Sequence, residues 1–243
     1  MMKKALDLFC CAGGASMGLH RAGYDVTGVD INPQPHYPFK FIQGDALEFP
    51  LEGFDFIWAS PPCQAFSRLR HLHKKERPNL IPATRSRLIA SGVPYCIENV
   101  EDAPLGESGY LIMLCGTMFG LRTKDGRAEL RRHRIFETSF SIPLRPCCQH
   151  GYVPSLWVCG KGGHFTAPRV LTVCGHTPVD NVRPRSITIT GSTPQTNTVR
   201  NLVRETFTVC QAREAMGIDW MSMKTLSQAI PPAYSQFIAR HVA

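Results

Sequence analysis

Phe54-Asp-Phe-Ile-Trp-Ala-Ser-Pro-Pro-Cys-Gln64 sets a candidate nucleophile where a buried strand gives way to a rigid turn. The run Phe54 to Trp58 is rich in β-formers, and Pro61-Pro62 cannot continue a sheet, so the strand is expected to stop just before Cys63. In an open α/β sheet, ligands collect at the carboxyl ends of strands. Two prolines leave the turn few backbone conformations, which fixes the direction of the thiol at that edge. A cysteine in arbitrary context is most often a small buried hydrophobe. Its place directly after a strand and two prolines marks Cys63 as a candidate for chemistry.

Working outward, Ala5 to Phe9 predicts a first strand, followed by the turn Cys10-Cys-Ala-Gly-Gly14 and a helix ending near Gly23. A glycine turn lets a ligand approach the backbone and offers free amides at a helix start. The spacing is not G-x-G-x-x-G, so a dinucleotide pyrophosphate is not specifically called for. A second strand, Tyr24 to Val29, ends in Asp30, where a carboxylate can accept both hydroxyls of a ribose. A third, Phe39 to Gln43, leads to Gly44-Asp45, an acid placed to take an amino group from an adenine edge. Either aspartate alone could be a turn residue; together, on successive strands, they outline a nucleoside pocket beside Cys63.

Beyond the cysteine, a helix is expected from Ala83 to Ala90, closed by Gly92, and a fifth strand over Tyr95 to Val100. Glu98 lies inside that strand, and a carboxylate in an apolar strand is costly unless it is paired or has work to do. Leu111 to Gly120 and Arg132 to Ser139 are further strand or turn candidates; alternation predicts that Arg132 and Arg134 share one sheet face. Thr208 is expected to cap a helix through Met216, and Ile230-Pro-Pro232 to start the final helix.

Length, charge and cysteine usage bound the class. A chain of 243 residues can bury a real core. The net charge of +8 is concentrated in two blocks, residues 68–87 and 145–204, each carrying seven Lys or Arg against a single acid. Nineteen of the 27 basic residues are arginine, whose planar fork suits phosphate oxygens and guanine edges. Two such blocks on an otherwise acidic chain favour a polyanionic partner. The ten cysteines are scattered rather than framed as in a small secreted domain. No stretch approaches the ~20 apolar residues of a membrane span. A cytoplasmic setting with free thiols is therefore expected, without membrane attachment.

The ordered set Asp-Leu-Phe-Cys-Cys-Ala-Gly-Gly, Gly-Val-Asp, Gly-Asp-Ala, Pro-Pro-Cys-Gln, Glu-Asn-Val and Arg-Arg-His-Arg resembles the cytosine-5 DNA methyltransferases. A later Arg-Glu-Ala-Met-Gly and an Ala-Ile-Pro-Pro near the end continue the likeness, which spans roughly residues 5–140 and 208–240. The resemblance implies an α/β fold, a doubly wound, mostly parallel sheet binding S-adenosyl-L-methionine, with a small β/loop target-recognition region. The catalytic domain would comprise 1–144 plus 208–243, and the recognition region 145–207. By the same likeness, Cys63, Glu98, Arg132 and Arg134 would be catalytic. Phe9, Ala12, Gly13, Gly14, Asp30, Ile31, Asp45, Ala46, Pro61 and Gln228 would hold the cofactor.

In that reading Cys63 adds to carbon 6 of cytosine, Glu98 bonds the ring nitrogen and exocyclic amine, and Arg134 with Arg132 holds the base carbonyl and keeps the thiol ionised. A stacked base hides both ring faces, so the target is expected to flip out of duplex DNA. Residues 68–87 would form a mobile loop over it while 145–207 grip the flanking duplex. The family further implies a monomer in a bacterial or phage-infected cell, and leaves room for a cognate restriction endonuclease acting on the same site.

Two positions depart from the family pattern: Ser227-Gln228 stands where Gly-Asn is usual, and Leu130 where glutamine is usual. Cys147, Cys148, His150, Cys159, His164, Cys174 and His176 lack paired C-x-x-C knuckles, so no metal is expected. The competing readings are the tRNA-methylating branch of the same family, a catalytically idle DNA-binding protein, and a nicotinamide-dependent oxidoreductase.

Overall fold

The computed structural model describes residues 2–66, 78–126, 128–143, 148, 155–156, 163–164 and 206–242. Two compact units divide the chain. The first joins Met1–Leu114, His133–Pro146 and Ala229–Ala243; the second joins Cys115–Arg132 and Cys147–Gln228.

The first unit is an α/β structure built on a seven-stranded sheet. Its strands are β1 (Lys4–Leu8), β2 (Asp25–Asp30), β3 (Lys40–Gln43), β4 (Phe56–Ala59), β5 (Tyr95–Asn99), β6 (Tyr110–Leu114) and, after a two-residue β7 (Glu129–Leu130) that belongs to the second unit, β8 (Arg134–Thr138). The spatial order is β3-β2-β1-β4-β5-β8-β6. The β3 to β5 portion is parallel, and β8 pairs antiparallel with both β5 and β6.

Strand alternation sorts the side chains onto two faces. Leu6, Leu8, Ile57, Ala59, Tyr95 and Ile97 form one core with Leu88 of α2 (Ile81–Ser91). The opposite parity sends Asp7, Phe56, Trp58, Cys96 and Glu98 to the other face, where Trp58 meets Phe136 and Phe136 meets Tyr234 of the last helix. That face is covered by α1 (Gly14–Arg21) and the carboxyl-terminal helix Pro232–Ala239, which pack on each other. Contact is so close that a Cβ on Gly18 would run into the Ser235 hydroxyl and the Pro232 carbonyl, and Ser235 donates to the Ala15 carbonyl at 2.7 Å. Helices on both faces of a largely parallel sheet make the doubly wound arrangement expected from the sequence.

Element boundaries follow local chemistry. Helix α2 has proline in its first turn and stops at Gly92 with φ 68°. The two-residue strands β9 (Ser155–Leu156), β10 (Gly163–His164) and β11 (Thr206–Phe207) lie in the second unit, β7 pairing parallel with β9 and β10 antiparallel with β11. There α3 (Val209–Met216) begins with a reciprocal cap: Gln211 N–H donates to Thr208 Oγ1, while the Gln211 side chain accepts from Thr208 N–H. Short α4 (Met223–Leu226) follows; the final helix is α5. The stretch from 208 to 228 lies in the second unit, and only Ala229 onward in the first.

Two sequence expectations need correction. Arg132 does not share a strand face with Arg134, because β8 begins only at Arg134; Arg132 is buried in the second unit and donates to the Ser227 carbonyl at 3.0 Å. Nor do all seven basic residues of 68–87 face outward. Arg85 is buried against Glu137 at 2.9 Å, and Arg87 donates to the carbonyls of Ala46 and Phe49. Residues 81–87 are helix rather than loop, and 68–77 lie outside the described residues.

Candidate active site

The carboxyl edge of β1, β2 and β3 carries one cluster. Phe9 and Cys11 have positive φ (60° and 45°), as does Gly13 (82°), so the turn after β1 holds two non-glycine residues in a conformation that L-residues rarely adopt. Such backbone persists only where surrounding bonds over-determine it. Here Cys10 N–H donates to the Val29 carbonyl, Gly13 N–H to the Cys10 carbonyl, and Cys11 N–H to Asp30 Oδ2, each at 3.0 Å. Asp30 Oδ1 accepts from Asn32 N–H at 2.9 Å. One carboxylate thus ties the turn after β1 to the turn after β2.

The donor and acceptor set at this edge suits a nucleoside. Asp30 Oδ1 accepts from both the N–H and the side-chain amide of Asn32, Ile31 beside it is 65% exposed as an apolar platform, and a Cβ on Gly13 or Gly14 would run into Tyr37 or the Ile230 carbonyl, so only glycine permits the close packing of this turn. Ala12 and Ala46 are buried at the rim. Asp45 is exposed and accepts from Leu47 N–H through Oδ1, which leaves Oδ2 for an amino group.

The second cluster sits at the ends of β4 and β5. Ser60 N–H donates to the Leu8 carbonyl, which holds the start of the turn on β1. Pro62 leads into a single 3-10 turn, Cys63–Ala65, in which Phe66 N–H donates to the Cys63 carbonyl at 3.0 Å. The Cys63 side chain is half-buried. Buried Asn99 donates from Nδ2 to the Pro61 carbonyl at 2.9 Å, fixing the turn from the neighbouring strand. Glu98, one residue earlier and 6% exposed, is held by Arg134 Nε at 3.1 Å. Cys63, Glu98 and Arg134 therefore come from one sheet edge of the first unit, with an acid whose charge is partnered.

Arg132 and Gln228 fall in the second unit. Gln228 is exposed just after α4, its N–H on the Thr225 carbonyl. The described cysteines form no disulfide. Of the Cys/His-rich stretch, Cys148 is described; its sulfur lies within 4.8 Å of that of Cys115, with Thr117 between them. The remaining residues of 145–207 lie outside the described set apart from the short strands β9 to β11.

Reasoning from sequence missed the groups behind the glycine turn. Asp7 is 1% exposed and accepts from the Ser16 hydroxyl, which in turn meets the Tyr37 hydroxyl at 2.6 Å. A carboxylate inside the apolar run Ala5 to Phe9 was the available signal, the same one that singled out Glu98.

This seven-stranded α/β sheet is similar in fold to solved methyltransferase structures. The family model described as C-5 cytosine-specific DNA methylase matches residues 3–102, so the resemblance carried by the motifs is borne out over that segment. A DNMT2 from Spodoptera frugiperda is similar in structure over 99% of each chain, with TM-score 0.53 and 15% identity. A putative DNA modification methyltransferase encoded in an E. coli prophage is similar over 98% of each chain, with TM-score 0.50 and 13% identity. The Entamoeba histolytica methyltransferase EhMeth matches over 100% of this chain and 98% of its own, with TM-score 0.53 and 14% identity. In sequence, a 23S rRNA (uracil(747)-C(5))-methyltransferase of Pyrococcus horikoshii is 30% identical over 89 residues. That stretch is 32% of this chain and only 22% of the relative's length. Among the described residues, no helix is long and apolar enough to cross a membrane.

Proposed function

We propose that the protein is a DNA (cytosine-5-)-methyltransferase that uses S-adenosyl-L-methionine and acts through a transient Cys63 adduct on a cytosine flipped out of duplex DNA. The observation that carries this reading is the arrangement at one sheet edge: Cys63 on a turn pinned by Asn99, beside a Glu98 held by Arg134 at 3.1 Å. The family match over residues 3–102 supports the same chemistry.

Carbon 5 of cytosine is a poor nucleophile until carbon 6 is attacked. The Cys63 thiolate forms a bond to carbon 6, and the ring's displaced electron pair is carried by an enamine. Glu98, reaching the ring nitrogen and exocyclic amine, favours charge build-up there. Arg134 orients Glu98 and offers guanidinium donors to the base carbonyl. S-Adenosylmethionine, when bound, supplies the electrophilic methyl that carbon 5 accepts. Loss of the carbon 5 proton to a base then restores the ring double bond and expels the Cys63 sulfur. Asp30 and Asp45 fit the ribose hydroxyls and adenine amine of that cofactor, with Ile31 against the adenine face; Phe9, Ala12, Gly13, Gly14, Ala46 and Pro61 form the surrounding backbone. Arg132 acts by holding the Ser227 carbonyl rather than by touching the base, and Gln228 is assigned to the same local frame. Residues 145–207 are assigned to target recognition on the strength of their charge.

Duplex DNA bearing 5-fluorocytosine should trap a covalent complex with the wild-type chain and none with Cys63→Ser, because the adduct cannot lose fluorine as a proton is lost. Absence of a trapped species on DNA, with one formed on tRNA, would move the activity to RNA. Absence on both, with cofactor bound, would leave a binding protein.

A further inference from the structure

The two loops that line the proposed cofactor edge are joined at a second place, away from Asp30. Ser16, on the first turn of α1, donates its hydroxyl proton to Asp7 Oδ2. That proton being committed, the 2.6 Å contact between Ser16 and Tyr37 is the phenol donating to the serine oxygen. Tyr37 belongs to the segment between β2 and β3, and to reach Ser16 it crosses β2. A Cβ on Gly28 would run into the phenol, and one on Gly13 would come within 3.0 Å of the ring. Phe39 and Phe41 flank the same ring at centroid separations of 5.9 and 5.7 Å. A phenylalanine would fill this space equally well, yet the chain buries a carboxylate here whose Oδ1 accepts no hydrogen bond. Burying such a group is unfavourable unless the bonds it makes fix a geometry.

We propose that Tyr37 is a positioning residue: its bond through Ser16 to Asp7 locks the turn of residues 10–14 and the Asp30-Ile31 pair into the one relative placement that receives the adenosine part of the cofactor. This rests on the cofactor assignment made above. Asp30 and Cys11 tie the two loops at one end, and Tyr37 and Ser16 tie them at the other. With both ties in place the nucleoside meets a preformed edge; with one, the loops swing about Asp30 and binding must order them.

The test is Tyr37→Phe, which keeps the ring and removes only the donor, with Ser16→Ala as a second variant that removes the acceptor and leaves Tyr37 in place. Amide exchange is measured in the free protein, and S-adenosylhomocysteine is titrated by calorimetry. Both variants should exchange about tenfold faster at residues 11–14 and 31–37, with β4 and β5 unchanged, and bind S-adenosylhomocysteine about tenfold more weakly. In turnover, KM for S-adenosylmethionine should rise about tenfold while kcat stays within twofold. Faster exchange with unchanged affinity would reduce Tyr37 to packing and overturn the proposal, as would unchanged exchange. If the wild-type chain itself fails to bind S-adenosylhomocysteine, the cofactor assignment falls and takes this proposal with it.

Discussion

Asn99 shows how a single amide can govern a thiol that it does not touch. Its Nδ2 reaches across from β5 to the Pro61 carbonyl, and its own Oδ1 accepts from Val100 N–H, so the side chain is fully directed. Replacing it with alanine leaves a carbonyl without its donor and frees the turn that aims Cys63. Asn99→Ala should lower kcat by about 10- to 100-fold, as small misplacements of reacting groups do, with a stability cost of about 1–3 kcal/mol. Rapid-quench methylation assays beside thermal melts would check both figures; a melt shift with unaltered kcat would remove Asn99 from the positioning of the nucleophile. Cys63, Glu98 and Arg134 could be read from sequence because strand ends and a charged residue in an apolar strand are local signals. Ser16 and Tyr37 could not, since their hydroxyls gain meaning only from Asp7, on a different element.

At the scale of elements, Arg85 shows where counting charges misleads. It sits on α2, donates to both oxygens of Glu137 on β8 at 2.9 Å and to the Pro104 carbonyl at 2.7 Å, and with Gly106 N–H completes the acid's environment. Glu137 is fully buried, so removing its partner strands a charge. Arg85→Ala should cost about 3–5 kcal/mol, whereas the double replacement Arg85→Met with Glu137→Met should recover most of that loss. Urea midpoints of the three proteins test this. The double variant should also bind duplex DNA with the salt dependence of the parent, since the arginine faces inward; a shallower slope would return it to the DNA-contacting set. The pairing joins residues 52 positions apart, which no local pattern discloses. Helix starts and stops were legible for the opposite reason: the α2 proline and Gly92, or the Thr208 cap, act within a turn of their own position.

For the whole molecule, the individual strands were legible locally and the doubly wound sheet was anticipated through the family resemblance of the motifs, while the insertion of β8 between β5 and β6 was not anticipated. That placement depends on the chain leaving the first unit at Cys115 and returning at His133, a non-local pairing that alternation cannot specify. The parallel centre of this sheet also sets the pH behaviour of the protein, because it buries Asp7. Burial raises its carboxyl pKa from an ordinary 3.8 to about 7, against the opposing effect of the Ser16 hydrogen bond, with Asp30 and Glu98 adding to the rise. An acid with a raised folded pKa holds its proton in the native state after the unfolded chain has released it. Its contribution to stability is therefore whole below pH 3.8, falls as pH rises toward 7, and is flat above. The full effect is of order 4 kcal/mol. Asp7→Asn keeps an acceptor for Ser16 and removes the titration. Between pH 5.5 and 8 the wild type should lose about 2 kcal/mol relative to Asp7→Asn, read as the change in the difference between their urea midpoints, in which the other carboxylates cancel. A difference that stays constant across that range would mean that Asp7 titrates as an ordinary acid, and that the sheet centre is wetter than its burial indicates.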